Sequence, residues 1–443
     1  MRFFAKNNPY KGKRILVYGL GKSGLAAKAF LSSCGAKVQT FVDGEKNKKI
    51  NFEKLSMAVL SPGISLDCEL VCQLKRAGVP ILAELELGYL NVNGNYIAIT
   101  GTNGKTTTVS LVYKILEGQN TFLAGNIGIP LISLAGKTDL KSIIVCEVSS
   151  YQLETCKQFR PKISAILNLA PDHLTRHKTY QNYCNSKTKI FQNQTENDYC
   201  VLNYDEEEVL ALSEKCVAKK YYFSKFDQLS NPNFKGAYLS GEEIYFKEDF
   251  YNVYIMNKSQ IKLVGEKNLE NVLAAITITS LCGLSGEKIS SKVSSFLPLP
   301  NRLEIVLKRG KITCINDSKA TNIASALSDI NATGGNIAVL LGGSDKGEDF
   351  KRLFSPLKGA VKRAIIYGAT TEKMVCAAKE AGFEEFSLAK NLKEATALGI
   401  KFCREFDGEI NLLLSPACAS FDEFKNFEHR GNYFKKLVME ELK

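Results

Sequence analysis

One segment of the chain has the residue types and spacing of a phosphate-binding loop. Tyr96 to Thr108 reads YIAITGTNGKTTT, an apolar run followed by two glycines, a lysine and a row of hydroxyls. Apolar residues then recur at helical spacing through Leu116, so a predicted strand leads into a predicted helix. In such a loop, backbone N–H groups bind phosphate oxygens, the lysine neutralises them, and the next hydroxyl can ligate Mg²⁺. Only Ile99 departs from G-x-x-x-x-G-K-[ST], and a plain strand-to-helix turn is the alternative.

A second glycine-rich segment near the start of the chain predicts a different ligand. The apolar strand Arg14 to Gly19 runs into GLGKSG at Gly19 to Gly24, and a second strand ends at Asp43, about twenty residues on. This pattern is typical of a dinucleotide-binding fold. It supports a competing hypothesis, an NAD-dependent oxidoreductase.

Acidic and histidine residues follow two later strands. The strand from Ser142 ends in Glu147, where a carboxylate beside a phosphate loop can hold Mg²⁺. The strand from Ile163 leads to Asp172 and His173; the chain has only three histidines. An isolated histidine is more often structural than a ligand, so spacing alone leaves its role open.

Composition narrows the class of protein. The 443 residues are 45% hydrophobic and 23% charged, which predicts a globular chain of about three domains. No apolar run reaches membrane-span length and the start has no apolar signal core, so we expect a cytoplasmic protein with no membrane span. The 13 cysteines lack zinc-site spacing and are predicted to be reduced. The net charge of +12 is spread over dispersed lysines, which disfavours nucleic-acid binding.

Alternating strands and helices predict an α/β fold in three domains. A Rossmann-like N-terminal domain (residues 1–92) precedes a central P-loop ATPase-type domain (93–298) and a Rossmann-like C-terminal domain (299–443). In the third domain, strands lead into the polar segments Asn316 to Asn322, Gly342 to Lys346 and Ser415 to Ser420. Ligands bind at the carboxyl ends of parallel strands, so these segments are predicted to bind ligands.

The motifs, taken together and in order, resemble the Mur ligases, which assemble the peptide stem of bacterial peptidoglycan. The resemblance rests on the loop GTNGKTT, on EVSSYQLE from Glu147, on Asp172-His173 and on Asn268-x-x-Asn271. Asn316 to Asn322 and Ser415 to Gly431 resemble the members that add D-glutamate. The resemblance implies an ATP-dependent amide ligase that joins D-glutamate to UDP-N-acetylmuramoyl-L-alanine through an acyl phosphate. We expect the enzyme to be a monomer.

The resemblance also assigns residues to ATP and to metal. ATP would contact Gly101, Thr102, Asn103, Gly104, Lys105, Thr106, Thr107, Asn268, Asn271, Arg302 and Asp317. Two Mg²⁺ ions would be held by Thr106, Glu147, His173 and a carbamylated Lys187. The catalytic set would be Lys105, Glu147, His173, Lys187 and Lys319. Spacing by itself does not distinguish Lys187 from the other lysines.

The two remaining substrates are assigned in the same way. The UDP-substrate would contact Gly19, Leu20, Gly21, Lys22, Ser23, Gly24, Asp43, Ser61, Pro62, Gly63 and Asn126. D-Glutamate would contact Thr321, Lys346, Ser420, Phe421 and Phe427. Two positions depart from the family: Lys267 stands where histidine is usual, and Phe421 where leucine is frequent.

Three alternatives remain open at this stage. Another amino-acid-adding Mur ligase or a folylpolyglutamate synthase would share the phosphate loop, but not the third-domain segments. The NAD-dependent oxidoreductase would bind nicotinamide at Gly19 to Gly24, but it leaves Glu147 and the phosphate loop unexplained. A nucleotide-gated binding module without chemistry would bind ATP and show no turnover.

Overall fold

The computed structural model describes residues 8–45, 50–249, 251–345 and 347–442. The chain divides into two compact units, Met1–Gln260 with Glu270–Ser294, and Ile261–Leu269 with Ser295–Lys443. It contains three sheets flanked by helices, so the predicted α/β fold class is confirmed. None of the helices in the described ranges combines the length and apolar character needed to cross a bilayer.

The first sheet has four parallel strands in the order β2-β1-β3-β4. Its apolar central strands are buried on both faces, as parallel strands covered by helices usually are. The strands are β1 (Arg14–Tyr18), β2 (Lys37–Phe41), β3 (Met57–Leu60) and β4 (Ile81–Ala83). The helices are α1 (Lys22–Ser33), α2 (Glu69–Arg76) and α3 (Glu84–Asn91), with a 3₁₀ turn at Phe52–Lys54.

The second sheet has nine strands in the order β13-β12-β11-β10-β9-β8-β5-β7-β6. Strands β6 to β11 and β5 run parallel, and β12 and β13 extend the sheet as an antiparallel meander. The strands are β5 (Asn95–Thr100), β6 (Thr121–Gly125), β7 (Ile143–Glu147), β8 (Ile163–Ile166), β9 (Tyr199–Asn203), β10 (Lys219–Ser224), β11 (Gly236–Ser240), β12 (Glu243–Glu248) and β13 (Tyr251–Asn257).

Helices and short turns connect these strands. The helices are α4 (Lys105–Ile115), α5 (Ser150–Leu153), α6 (Leu174–His177), α7 (Tyr180–Thr188), α8 (Glu207–Leu212), α9 (Glu266–Leu281) and α10 (Gly286–Ser295). The 3₁₀ turns are Leu131–Leu134 and Lys258–Gln260.

The strand order explains how distant motifs of this sheet meet. Strand β5 lies between β8 and β7, and β7 lies beside β6. Because these strands are parallel, their carboxyl ends share one edge of the sheet. The phosphate loop after β5 therefore lies between the segment after β8 and Glu147 at the end of β7.

The third sheet has six strands in the order β14-β15-β19-β16-β17-β18, parallel except for β14. The strands are β14 (Glu304–Arg309), β15 (Ile312–Asn316), β16 (Ile337–Gly342), β17 (Val361–Tyr367), β18 (Phe386–Leu388) and β19 (Ile410–Leu414). The helices are α11 (Ile323–Thr333), α12 (Lys351–Phe354), α13 (Thr371–Glu380), α14 (Leu392–Glu405) and α15 (Phe427–Glu441), with a 3₁₀ turn at Ser355–Leu357.

The predicted strands agree with the observed strands to within one or two residues. The sequence interpretation did not recognise α3, whose first four residues, Glu84 to Leu87, are all buried although two of them are glutamates. Buried carboxylates interrupt the apolar spacing of an amphipathic helix, so hydrophobic periodicity does not predict this helix. The boundaries at residues 92/93 and 298/299 stay a prediction.

Candidate active site

The phosphate loop joins β5 to α4 and presents the amino end of that helix. Gly104 caps α4 with a φ of 81°, a conformation that favours glycine. A Cβ at Gly104 would also lie 2.1 Å from Asn271 Oδ1, so no side chain fits there. The first amides of α4 have no partner within the helix, which makes this end a site for anionic oxygens.

Neighbouring segments hold the loop in place. Thr102 Oγ1 shares a 2.7 Å hydrogen bond with the Tyr183 hydroxyl and accepts another, of 2.9 Å, from Ala170 N. Asn103 N donates to Asn168 Oδ1 at 2.8 Å. Sequence reasoning missed Tyr183 and Asn168 because each contacts a loop residue more than sixty positions away along the chain. Their contacts fix the loop from the β8 side of the sheet.

Two lysines converge on one carbonyl of the loop. Lys105 Nζ and Lys187 Nζ donate to Gly101 O at 2.8 and 2.7 Å. Lys187 is 2% exposed, and its ammonium position lies 4.7 Å from the centre of the Tyr183 ring. Burial, reinforced by the charge of Lys105, lowers the pKa of Lys187 well below its usual value. The environment therefore favours the neutral amine more than an exposed site would.

Glu147 points a free carboxylate oxygen into the same edge of the sheet. Its side chain is 2% exposed, and Oε1 accepts from Asn126 Nδ2 at 2.7 Å. Oε2 is buried and, among the described residues, no donor reaches it. A buried, unpaired carboxylate oxygen is costly unless a cation or donor binds it. The predicted residues Glu147 and Asn126 are thus brought together, in an arrangement that fits a hard cation.

His173 and His177 have different environments, which spacing could not distinguish. His173 precedes α6 with a φ of 55°, and its ring contacts the Tyr151 ring at 4.8 Å between centres. Its side chain is 38% exposed. His177 is buried, with Nε2 3.0 Å from Ser150 Oγ, and burial lowers its pKa. His173 is the histidine that can meet a ligand.

The residues predicted to hold metal at this edge are of different types. No group of three or more His, Cys, Asp or Glu side chains forms a metal cluster in the part of the chain that the structure describes. Of the predicted metal residues, Glu147 and His173 supply a carboxylate and an imidazole, and Thr106 lies on the first turn of α4. A complete ligand set would need oxygens from a phosphate or from a modified Lys187.

The glycine segment of the first sheet forms a compact loop against the Ser61 to Gly63 segment. Gly19 has a φ of 87°, and a Cβ there would lie 2.8 Å from Ser61 Cβ. A Cβ at Gly24 would lie 1.8 Å from Gly19 O. Ser61 Oγ donates to Gly19 O at 2.9 Å, and the Tyr18 hydroxyl donates to Asp43. The predicted UDP residues of this sheet therefore lie along its carboxyl edge.

In the third sheet, Asp317 lies buried at the end of β15. Its oxygens accept from Leu303 N at 3.0 Å and Ala320 N at 3.1 Å. Burial raises the pKa of Asp317 to about 6, while Arg302 and these amides oppose the shift. Backbone amides therefore hold the carboxylate in place.

The residues predicted to bind D-glutamate lie in different environments. Lys319 Nζ lies 3.8 Å from the centre of the Phe427 ring, so a residue predicted to be catalytic contacts one predicted to bind D-glutamate. Ser420 is buried, Thr321 is half-buried, and Phe421 is 72% exposed. Lys346 lies outside the described residues.

Arg430 joins two predicted segments of the third sheet, and sequence reasoning gave it no role. Its guanidinium, 1% exposed, donates to Ser318 Oγ and O and to the carbonyls of Cys418 and Ala419, at 2.9 to 3.1 Å. Four hydrogen bonds to loops after β15 and β19 fix their relative positions. The sequence did contain a signal for this role, because Arg430 and Gly431 end the Ser415 to Gly431 segment on which the resemblance rests.

The comparisons with known proteins agree over most of the chain. A family model described as "Mur ligase middle domain" matches residues 99–279. The UDP-N-acetylmuramoylalanine--D-glutamate ligase of Caldanaerobacter subterraneus subsp. tengcongensis is 40% identical, over 97% of this chain and 99% of the relative. The protein of the same name from Clostridioides difficile is 37% identical, over 97% of this chain and 98% of the relative.

Solved structures share the fold at low sequence identity. MurF from Acinetobacter baumannii is 15% identical with a TM-score of 0.64, covering 98% of this chain and 92% of its own. The MurF ligase of Thermotoga maritima in complex with ADP is 14% identical with a TM-score of 0.59, and the match covers 98% of this chain and 97% of that structure's chain.

Proposed function

This chain belongs to the Mur ligase family, and we propose that it joins D-glutamate to UDP-N-acetylmuramoyl-L-alanine at the expense of ATP. The strongest support is the similarity at up to 40% identity across nearly the whole chain to ligases of that name. Family membership shows that the NAD-dependent oxidoreductase hypothesis is wrong, although the Gly19 to Gly24 pattern favoured it. The reaction would take place in the cytoplasm, with a monomeric enzyme.

The reaction has two steps in this proposal. The terminal alanine carboxylate attacks the γ-phosphorus of ATP, which forms an acyl phosphate and releases ADP. The amine of D-glutamate then attacks the acyl carbon, and the tetrahedral intermediate expels phosphate. Both steps place negative charge on oxygens, so stabilisation by cations and backbone amides matters more than a protein nucleophile.

The phosphate loop would hold the transferred group. The amides at the start of α4 and Lys105 would bind the β- and γ-phosphates. Lys105 donates to the carbonyls of Gly101 and Thr102, and a bound phosphate would compete for it. The contacts of Thr102 with Tyr183 and of Asn103 with Asn168 keep the loop preorganised, which lowers the cost of binding.

Lys187 would act after conversion to a carbamate. Its neutral amine can add to CO₂, which forms a C–N bond, loses a proton and leaves an anionic carboxylate in place of a cation. That carboxylate, with Glu147, His173 and Thr106, would hold two Mg²⁺ ions. These ions would neutralise the phosphate oxygens and orient the acceptor carboxylate.

The other substrates are assigned to separate sheets. The Gly19 to Gly24 loop and Asp43 would bind the UDP part of the acceptor, and Ser61 to Gly63 with Asn126 would line the path to its carboxylate. In the third sheet, Thr321, Lys346, Ser420, Phe421 and Phe427 would bind D-glutamate, with Lys319 beside Phe427. Asn268, Asn271, Arg302 and Asp317 would contact ATP.

A substrate panel tests this function. ADP release is measured with UDP-N-acetylmuramoyl-L-alanine and, in turn, D-glutamate, L-alanine, L-lysine and meso-diaminopimelate. Of the four amino acids, only D-glutamate is expected to support turnover, and Lys105→Ala should abolish that turnover. Turnover with another amino acid but not D-glutamate would refute the assignment in favour of another ligase of the family. ATP binding without turnover of any amino acid would indicate a binding module instead.

A further inference from the structure

Arg176, in α6, connects the first sheet to the second. Its Nη1 donates to Pro62 O at 2.9 Å, in the Ser61 to Gly63 segment of the first sheet. Its Nε lies 3.1 and 3.2 Å from the two carboxylate oxygens of Glu154, which follows α5 of the second sheet. One guanidinium thus holds backbone on one side and a carboxylate on the other.

We propose that Arg176 is a positioning residue that couples the UDP-binding loop of the first sheet to His173 at the edge of the second. This inference rests on the proposed function, because it assigns the UDP-substrate to the Gly19 and Ser61 segments. It adds a residue that acts through its contacts and does not touch a substrate.

On the first-sheet side, the contact leads to the glycine loop. Ser61, next to Pro62, donates from Oγ to Gly19 O at 2.9 Å. A Cβ at Gly19 would lie within 2.8 to 3.2 Å of Ser61 and Ile64, so the two segments are in close contact. A displacement of Pro62 would therefore disturb the loop to which the diphosphate is assigned.

On the second-sheet side, the contact leads to His173. The Arg176 guanidinium lies 4.2 Å from the centre of the Tyr151 ring, and the His173 ring contacts the same ring at 4.8 Å. Arg176 N also donates to His173 O at 3.0 Å. Arg176 and His173 share Tyr151 as a neighbour, so the position of one side chain constrains the other.

The geometry demands an arginine. The side chains of Arg176 and Glu154 are only 12% and 11% exposed, so the ion pair is largely removed from water. A planar guanidinium can bind the carboxylate through one edge while another N–H reaches Pro62 O. A lysine ammonium can keep the charge near Glu154, but it lacks a second donor in the required direction.

Arg176→Lys is the informative variant, with Arg160→Lys as its matched control. Arg160 also pairs with a carboxylate, at 2.8 Å from Asp198, but it precedes β8, at the opposite end of that strand. Steady-state kinetics with each substrate varied in turn, and ATP binding by calorimetry, give the readout. Urea unfolding compares the stability of the folded variants.

The expected result is specific to one substrate. Loss of a charge-assisted hydrogen bond of about 1.5 kcal/mol or more predicts a rise of at least about tenfold in KM for the UDP-substrate, or an equal fall in kcat/KM. The Kd for ATP should stay within about twofold of the wild-type value, and Arg160→Lys should change neither constant.

A charge-swapped double variant separates the effect of the Arg176–Pro62 hydrogen bond from that of the Arg176–Glu154 ion pair. Arg176→Glu combined with Glu154→Arg keeps opposite charges in place but removes the donor to Pro62 O. We expect it to remain impaired toward the UDP-substrate. Full recovery would overturn the inference, and so would equal losses toward ATP and the UDP-substrate in Arg176→Lys. If wild-type protein fails to use D-glutamate, the proposed function fails instead, so the two failures are distinguishable.

Discussion

We expect the stability of the wild-type chain to fall between pH 5 and 8 because of Glu84, and Glu84→Gln should abolish this pH dependence. Glu84 begins α3 and is 1% exposed. Its Oε1 accepts from Ile132 N at 2.8 Å, while Oε2 is buried with no donor among the described residues. Burial raises the pKa of Glu84 from 4.5 to about 7, and the Ile132 amide and the Ser23 hydroxyl offset only part of that rise.

The sign follows from proton binding. Between pH 4.5 and 7 the folded state holds a proton on Glu84 that the unfolded state releases, so stability falls as pH rises through this window. A shift of about 2.5 pKa units corresponds to about 3 kcal/mol in total, of which about 2.5 kcal/mol is lost between pH 5 and 8. Glutamine keeps the acceptor for Ile132 N and cannot ionise.

The assay is urea unfolding of both proteins at pH 5, 6, 7 and 8. Because the chain contains no tryptophan, circular dichroism is the suitable signal. The unfolding transition of the first compact unit, which contains Glu84, is compared between wild type and Glu84→Gln. Glu84→Gln should be close to wild type at pH 5 and more stable than wild type at pH 8, by about 2 to 3 kcal/mol. A difference between the two proteins that stays constant over the whole range would refute the reasoning.

Three further predictions concern the proposed site. Gly104→Ala places a Cβ 2.1 Å from Asn271 Oδ1 at a φ of 81°, so calorimetry should show at least about tenfold weaker ATP binding. Lys187→Ala should lower kcat at least about a hundredfold, and formate or acetate, but not chloride, should restore part of it; no restoration would contradict a carbamate there. Arg430→Met removes four buried hydrogen bonds, although Ala419 O still accepts from Ser344 N, and should destabilise the second unit by about 3 kcal/mol in urea unfolding, whereas an unchanged midpoint would show that these bonds contribute little.

The sequence was most informative where function depends on local backbone geometry. A phosphate loop needs glycines, a lysine and a helix start within a few residues, so Gly104 and Lys105 could be identified from spacing. The same holds for Gly19 and Gly24, where a Cβ would collide with neighbouring backbone or side-chain atoms. Their chemistry was still ambiguous, because UDP and NAD both carry a diphosphate. Similarity to the relatives excludes the oxidoreductase, whereas the assignment of Gly19 to Gly24 to UDP stays a prediction.

Buried polar side chains were the least predictable from the sequence. Lys187 resembles any other lysine in composition and spacing, and Glu84 looks like a surface helix residue. Their properties come from burial and from charges on segments far along the chain, such as Lys105 beside Lys187. Spacing along one helix cannot report an environment that other elements create.

The sequence by itself therefore determined the α/β class, the positions of the strands that precede the motifs and the residue types that follow them. Only the tertiary structure decided which strand ends share an edge, since the order β8-β5-β7-β6 is not the order along the chain. That order places Asn168 and Glu147 on either side of the phosphate loop. It also decided that His173 and not His177 is exposed, and that Arg176 and Arg430 each join separate segments. Contacts of this kind depend on packing between distant elements, which local propensity does not encode.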